Sequence, residues 1–444
     1  MRDFQRRVLS LTAGVTLMIG VGSIYAISAW NAQLKALLHF SQAGISTVSS
    51  LAMLGSYLSF FPGILFDRIG PRRSLLLACV GLMGLYGFLH LAITTFPAHI
   101  SAFSVGMCLL FVGQFSAFCI FASIVTNEGI FGDHNRGKVM AMLTSAYSCG
   151  GAVFAYTFNH AFRDDVAAFY LFEGFFLLLM TLFGCVAFYR STDAMQRNSE
   201  EVIDGNVSVP LPETSDEKAT LLHVDVTGFE MLRDPRFALL FVPVLIIIGA
   251  GLFVMSNVSF ITESLGGPME QVPTMVALFS IGNTVARLAT GALSDKYLDR
   301  YPRGVWLIVS VFLTVLTQLF FLWLPPAWLV MPVTLAGLAE GVMFGSFPVI
   351  MREAFGLKHY GKNYGLISIA NCIGYPLFFS PLSSYFYQHA TGSRTVDGVQ
   401  KCFGTECFRP MFLLIIVLCA IPLACSMKLL SRQMRARSQY RVLP

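Results

Sequence analysis

Charged residues are scarce in this chain of 444 residues, since aspartate, glutamate, lysine and arginine together make up only 12% of it. A soluble domain carries roughly 25% charged residues, and hydrophobic residues here reach 55%. The missing charge leaves long apolar stretches, and about 20 such residues cross a bilayer as one helix. No water-soluble core could bury that much apolar surface. The sequence therefore predicts an integral membrane protein whose first partner is the lipid bilayer.

The sequence also lacks the motifs of common catalytic and metal sites. It contains no G-x-x-x-x-G-K-[ST] loop, no H-E-x-x-H and no C-x-x-C pair. We therefore expect no enzymatic activity, no catalytic residues, no metal and no cofactor. The net charge of +5 does not predict a nucleic-acid partner, because the basic residues occupy short loops rather than one exposed face.

The apolar runs predict an all-α integral membrane fold with about twelve membrane spans. Their predicted bounds are 8–30, 44–65, 74–94, 100–124, 138–160, 168–190, 237–260, 272–293, 305–324, 328–351, 363–387 and 410–430. The polar runs SEEVIDGN and PETSDEKAT follow the sixth span and are typical of a solvated linker. The predicted organisation is an N-terminal six-helix bundle (1–190), a cytoplasmic linker (191–236) and a C-terminal six-helix bundle with a basic cytoplasmic tail (237–444).

The distribution of lysine and arginine between loops predicts the orientation in the membrane. Basic residues are concentrated in alternate loops, the termini and the linker, whereas the opposite set of loops contains only Lys35, Arg163, Arg394, Lys401 and Arg409. Cytoplasmic loops carry the excess of lysine and arginine, so both termini are predicted to face the cytoplasm. The host membrane stays open between the plasma membrane and a vacuolar membrane.

Two loop motifs occur twice along the chain. Gly63 to Arg68 (GILFDR) follows the second predicted span, and Gly291 to Lys296 (GALSDK) follows the eighth. The second motif places Glu128 after the fourth span and Glu353 after the tenth, each with a Gly-Lys pair further on. Because both pairs repeat at nearly one offset, we infer duplicated six-helix halves, an architecture that secondary transporters use.

The segment G-x-x-x-D-R-x-G-P-R-R, from Gly63 to Arg73, resembles the signature loop of the major facilitator superfamily. With the span number, linker and repeat, the resemblance covers the whole chain and implies two pseudo-symmetric six-helix bundles. It also implies that Asp67 engages a neighbouring helix end and a basic partner in a gate; Pro71 departs from the commoner basic residue of that loop. The predicted gating residues of both motif pairs are Gly63, Asp67, Arg68, Gly70, Arg72, Asp295, Lys296, Glu128 and Glu353.

A finer resemblance is to the nodulin-like branch, which is related to monocarboxylate transporters. It is carried by Gly22-x-x-Tyr25-x-x-Ser28, by Gly70-Pro71-Arg72 and by Cys402-Phe-Gly404-x-x-Cys407-Phe408. The resemblance implies that Arg287 binds a substrate carboxylate. Two positions depart from the monocarboxylate pattern: Asn283 stands in place of an aspartate, and Ala29 lies where a lysine is expected.

Ionisable residues inside spans are costly and are candidate functional residues. The planar fork of Arg287 suits a carboxylate; the alternative is that it pairs with Asp295 or another acid near the inner gate. Glu340 lies about 18 Å along a helix from Arg352, near the middle of the membrane. It is a candidate for binding the coupling proton, with a static ion pair to Arg287 as the alternative.

Several uncharged polar residues inside spans could line a substrate cavity. The substrate-binding candidates besides Arg287 are Asn283, Tyr25, Asn257 and Asn371, with helix–helix hydrogen bonding as the alternative for each. Glu173 and His90 lie near span ends and are expected at the membrane interface. Cys402 and Cys407 share one predicted outer loop, with or without a disulfide.

The function predicted from these features is transport of a small solute by alternating access, with rocking of the two halves around a midplane site. The preferred substrate is a small organic anion such as a monocarboxylate, with protons as a further partner if transport is coupled; a monomer is compatible with this function. Two alternatives stay open. One is a carrier of a neutral or cationic solute such as an amino acid, a sugar or a metal chelate. The other is a receptor-like membrane protein that does not transport, against which the preserved gating loops argue.

Overall fold

The computed structural model describes residues 2–40, 42–131, 135–162, 165–203, 226, 229–356, 359–391, 395–396, 399–400 and 402–441. Regular structure in these ranges is almost entirely helical, as an apolar chain in lipid requires, because each helix satisfies its own backbone hydrogen bonds. The α-helices are α1 (Arg2–Val21), α2 (Asn31–Leu37), α3 (Gln42–Tyr57), α4 (Phe60–Thr95), α5 (Ala102–Phe131), α6 (Arg136–Thr157), α7 (Val166–Ile203), α8 (Phe229–Arg233), α9 (Pro235–Leu265), α10 (Val272–Lys296), α11 (Gly304–Trp323), α12 (Val330–Phe355), α13 (Tyr360–Cys372), α14 (Ser380–Thr391), α15 (Arg409–Leu418) and α16 (Ala420–Arg441). Strands β1 (Thr395–Val396) and β2 (Val399–Gln400) form one antiparallel hairpin.

Eleven helical segments in the described part of the chain are long and apolar enough to cross a membrane. One of them, Thr47–Thr95, has 49 residues and would measure about 73 Å as a continuous helix. That is more than twice the bilayer core of about 30 Å, so this segment holds both the second and the third predicted spans. Its helical path is broken at Gly70, whose φ of 77° lies in the left-handed region and favours glycine. The predicted all-α membrane fold is confirmed.

The chain divides into two compact units. The first unit comprises Met1–Met231 together with Met351–Leu366, and the second comprises Leu232–Ile350 together with Ile367–Pro444. The first unit therefore includes a short segment from the C-terminal half of the sequence. This segment contains Glu353 and the start of α13, and it contacts the predicted gating residues Asp67 and Glu128.

Two spans in the first unit contain turns that depart from α-helical geometry. A 3₁₀ segment, Gly22–Ala29, continues from α1, and a π-helical turn, Phe158–Phe162, follows α6. Such interruptions often mark functional hinges. Close packing accompanies the first of them, because a Cβ on Gly22 would clash with the carbonyl of Tyr147.

The predicted linker lies partly outside the described residues. Helix α7 continues to Ile203, and 204–225 and 227–228 lie outside the described ranges. Beyond them, α9 begins with Asp234 as its N-cap, which accepts a hydrogen bond from the Arg236 amide at 2.8 Å. Burial alone would raise the pKa of Asp234, but the hydrogen bonds from Arg236 outweigh it and lower the pKa below its ordinary value.

Candidate functional site

The second unit contains a buried arginine. Arg287 on α10 is only 3% exposed, and its Nε donates a hydrogen bond of 2.7 Å to Oδ1 of Asn283, one turn earlier. Its Cζ lies 4.2 Å from the ring centroid of Phe344 on α12, within the range of a cation–π interaction. The amide and the ring together orient the guanidinium plane. Asn283 thus acts on the arginine, a role that its spacing of four residues could have indicated.

Three glycines on α12 allow the backbone of α10 to pack closely against that helix. A Cβ on Gly337 would clash with the Phe279 carbonyl, a Cβ on Gly341 would clash with the Asn283 carbonyl, and one on Gly345 would lie 3.1 Å from the Cα of Arg287. These glycines are four residues apart and form a small-xxx-small face of the kind that packs membrane helices. The sequence analysis missed this spacing, although it is visible in the sequence.

Glu340 lies on the same helix as this glycine row and is 4% exposed. Its Oε2 has no hydrogen-bond partner among the described residues, and it lies against Gly251 of α9, where a Cβ would be 2.7 Å from that oxygen. The positive charge of Arg287 interacts electrostatically with the Glu340 carboxyl group. The structure therefore brings Arg287, Asn283 and Glu340 together in the second unit.

The other predicted substrate-binding residues have different hydrogen-bonding surroundings. Asn257 donates to the Phe253 carbonyl of its own helix at 2.9 Å. Asn371 is buried, and its Oδ1 has no hydrogen-bond partner among the described residues. Tyr25 belongs to the first unit, where its hydroxyl lies 3.3 Å from the hydroxyl of Tyr57.

The aspartate of the signature loop caps a helix within the first unit. Asp67 accepts hydrogen bonds from the backbone amides of Gly361 at 3.0 Å and of Lys362 at 2.9 Å, at the N-terminus of α13. A carboxylate is stabilised there by the unpaired amides and the helix dipole. Gly63, one turn before Asp67, has no room for a side chain because a Cβ would clash with the Gly361 carbonyl.

A second charge cluster in the first unit is centred on Glu128. This carboxylate is 2% exposed, and its Oε1 lies 2.8 Å from Nε of Arg136 and 3.0 Å from Nε of Arg352. Glu353 lies further out, 28% exposed and 3.9 Å from Arg136. The cluster ties α5 and α6 to the end of α12 through the buried carboxylate of Glu128, whereas Arg352 is 21% exposed. The sequence analysis assigned neither Arg136 nor Arg352 a role in this cluster.

The repeat of the signature loop in the second unit has a different partner. Asp295 forms an ion pair of 2.8 Å with Arg303, which is nearly fully buried and also donates to Ser294. Lys296 is exposed, with its Nζ 5.5 Å from the Tyr297 ring centroid. In the first unit, Arg68 and Arg72 are likewise exposed.

Glu173, which the sequence analysis expected at the membrane interface, is buried within the first unit. It is 1% exposed because α7 packs this face against α1 and α4. His90 is half-buried, and its Nδ1 donates to the Ala167 carbonyl at 2.8 Å. Cys402 and Cys407 form a disulfide. No group of histidine, cysteine, aspartate or glutamate in the described part of the chain could hold a metal ion.

Comparisons with known proteins give this arrangement a context. The chain is 24% identical over 413 residues to the "Probable transporter MCH1" of Candida albicans, which covers 89% of this chain and 86% of that protein. It is 23% identical over 460 residues to the MCH1 of Saccharomyces cerevisiae, with 94% and 92% covered. It is 24% identical over 379 residues to the "Uncharacterized MFS-type transporter YhjX" of Escherichia coli, with 84% and 87% covered. The proton:xylose symporter XylE, solved with 6-bromo-6-deoxy-D-glucose, matches with a TM-score of 0.63 at 12% identity, over 96% of this chain and 95% of the symporter.

The helical membrane fold and these likenesses define a multi-pass membrane transporter and not an enzyme. The model of the Major Facilitator Superfamily matches residues 11–379 and, in an overlapping match, residues 239–439. The chain belongs to the Major Facilitator Superfamily.

Proposed function

We propose that this transporter carries a small organic anion such as a monocarboxylate, coupled to protons, and belongs to the nodulin-like branch related to monocarboxylate transporters. The observation that carries the proposal is Arg287, a buried arginine whose guanidinium is oriented by Asn283 and Phe344. A charge held at such depth is expensive and is a functional site by default. An oriented guanidinium recognises a carboxylate through two parallel N–H bonds.

Glu340 supplies the coupling step in this proposal. Without substrate, the carboxylate of Glu340 compensates the positive charge of Arg287, with which it interacts electrostatically. An arriving anion neutralises Arg287 in turn and leaves Glu340 as an uncompensated buried charge, which is strongly unfavourable. Uptake of one proton by Glu340 removes that charge. One anion and one proton then cross together. Arg287, the bound anion and the protonated Glu340 have no net charge during the alternating-access step.

Replacing Glu340 with glutamine tests this step, because glutamine keeps the shape but takes up no proton. We expect proton-driven accumulation of the anion to be lost while exchange of anion across the membrane continues, measured in proteoliposomes with and without an inward proton gradient. Glu270→Gln is the matched control, since Glu270 is exposed in the same unit. If Glu340→Gln instead abolished binding of a neutral or cationic solute, Glu340 would carry specificity and the anion proposal would fail.

We also propose that both termini face the cytoplasm, in the plasma membrane or a vacuolar membrane. Lysine and arginine concentrate on the termini and alternate loops. The Cys402–Cys407 disulfide supports this orientation. With both termini in the cytoplasm, the bridge would lie on the oxidising side of the membrane, where disulfides persist. In sealed vesicles with the cytoplasmic side inside, a membrane-impermeant reductant is expected to open the bridge, and subsequent thiol labelling at Cys402 and Cys407 measures it. Protection from the reductant until the vesicles are permeabilised would contradict the orientation.

A further inference from the structure

A second buried carboxyl lies in the first unit, away from the Arg287 group. Glu173 on α7 hydrogen-bonds with Ser23 of the 3₁₀ segment and with Tyr86 of α4. Its Oε1 is buried with no hydrogen-bond partner among the described residues. Three separate elements of the first unit, the 3₁₀ segment, α4 and α7, therefore meet at one carboxyl group.

The surroundings of this carboxyl are aromatic. Tyr170, one turn before Glu173, packs its ring 5.9 Å from the ring of Tyr86 and accepts a hydrogen bond of 3.2 Å from Nε1 of Trp30. Both Tyr170 and Trp30 are buried. In the part of the chain that the structure describes, the polar groups acting on the carboxyl are the hydroxyls of Ser23 and Tyr86, with no lysine or arginine among them.

The titratable groups around this carboxyl lie on α4, on α7 and on the π-helical turn after α6. Helix α4 contributes Tyr86 and, one turn further along, His90; α7 itself contributes Tyr170. The π-helical turn that packs on α7 has His160, which is exposed and stacked on Tyr156. Among the described residues of α1 and α5, which also pack on α7, no charged group acts on the carboxyl.

We propose that Glu173 is a proton-binding site of the first unit, separate from Glu340 and independent of which solute the protein carries. A buried carboxylate without a cation is unfavourable, whereas a neutral carboxylic acid can donate a hydrogen bond and still accept others. The two hydroxyl neighbours suit both forms, because a hydroxyl donates to a carboxylate and accepts from an acid. The site thus holds or releases a proton without a change of side chains around it.

His90 lies on α4 between Tyr86 and the end of the helix at Thr95. Its Nδ1 donates a hydrogen bond of 2.8 Å to the carbonyl of Ala167, near the start of α7. His90 is half-buried and lies one helical turn from Tyr86 toward that end. The His90 ring therefore links α4 to the part of α7 that precedes Glu173.

The bond to Ser23 links the proton to the conformation of the first span. Ser23 precedes Tyr25 by two residues in the 3₁₀ segment, and Tyr25 contacts the hydroxyl of Tyr57 and the ring of Tyr147. A 3₁₀ stretch inside a span is a common hinge. Gain or loss of a proton at Glu173 therefore acts directly on the hydrogen bond to Ser23, in the segment that carries Tyr25.

Infrared difference spectroscopy on the purified full chain in lipid nanodiscs tests the proposal directly. On acidification, the wild type is expected to gain a carbonyl-stretch band of a protonated carboxylic acid that shifts in deuterated buffer. Glu173→Gln is expected to lose this band, while Glu340→Gln and the exposed control Glu270→Gln keep it. Persistence of every titrating band in Glu173→Gln would overturn the proposal.

A conservative pair of variants covers the case in which Glu173→Gln fails to fold. Tyr86→Phe and Ser23→Ala keep the carboxyl but each removes one hydroxyl neighbour, so each is expected to shift the midpoint of the band without removing it. An unchanged midpoint in both variants would contradict the assignment. Loss of proton-driven transport in Glu340→Gln has no bearing on this result, because the band is read without any solute.

Discussion

Replacing Arg287 with lysine is expected to reduce carboxylate transport by about thirtyfold or more in kcat/KM. Truncating one partner of a buried, hydrogen-bonded charge pair costs roughly 2–5 kcal/mol, and each 1.4 kcal/mol is a factor of about ten. Lysine keeps the charge but lacks the planar fork that two parallel N–H bonds require. It also loses the Nε donor to Asn283 and the stacking on Phe344.

The measurement is initial uptake of labelled carboxylate into proteoliposomes over a range of concentrations. Arg300→Lys is the matched control, since Arg300 is exposed and follows the same helix, and it is expected to transport as the wild type does. Asn283→Ala should give a smaller loss of about fivefold, because it removes one hydrogen bond worth roughly 1 kcal/mol. Normal transport by Arg287→Lys would rule out bidentate recognition of the carboxylate.

Replacing Glu128 with glutamine is expected to loosen the charge cluster of the first unit. Arg136 and Arg352 would lose the carboxylate that lies 2.8 Å and 3.0 Å from them. Breaking a buried ion pair by removing one partner costs roughly 3–5 kcal/mol. We therefore expect hydrogen–deuterium exchange in peptides covering 351–366 to rise by at least tenfold, since local opening sets that rate.

Glu353→Gln provides the matched control for this prediction. Glu353 contacts the same Arg136 but is 28% exposed and 3.9 Å away, and exposed pairs contribute only about 0–1 kcal/mol. Its exchange is expected to stay within a few-fold of the wild type. Equal exchange in Glu128→Gln and Glu353→Gln would show that the buried cluster does not hold the 351–366 segment.

The sequence was sufficient for the fold because the relevant signals are local. Apolar length predicts the spans, and the repeated motifs around Asp67 and Asp295 predict duplicated halves. Arg287 and Asn283 could also be linked beforehand, since a spacing of four residues places them on one helical face. Hydropathy separates the second and third predicted spans, but it does not register that helical turns continue on both sides of Gly70 and join the two spans in one segment.

The partners of the site residues depended on packing between distant segments. Glu340 interacts with Arg287 only because the glycines of α12 allow α10 to pack closely against that helix. Asp295 pairs with Arg303 across a loop whose path cannot be read from the sequence pattern. Glu173 is buried because α1 and α4 cover it, although its position near a span end predicts an interfacial residue. Helix contacts of this kind are tertiary and leave no periodic signal.

The most direct test of the transport proposal is uptake by the reconstituted wild-type protein of a radiolabelled panel of monocarboxylates, amino acids and sugars. Each solute is measured with and without an inward proton gradient, and empty liposomes give the background. The proposal predicts that a carboxylate accumulates, that the gradient drives it, and that neutral and cationic solutes do not enter. Uptake of a neutral or cationic solute with every carboxylate excluded would contradict it.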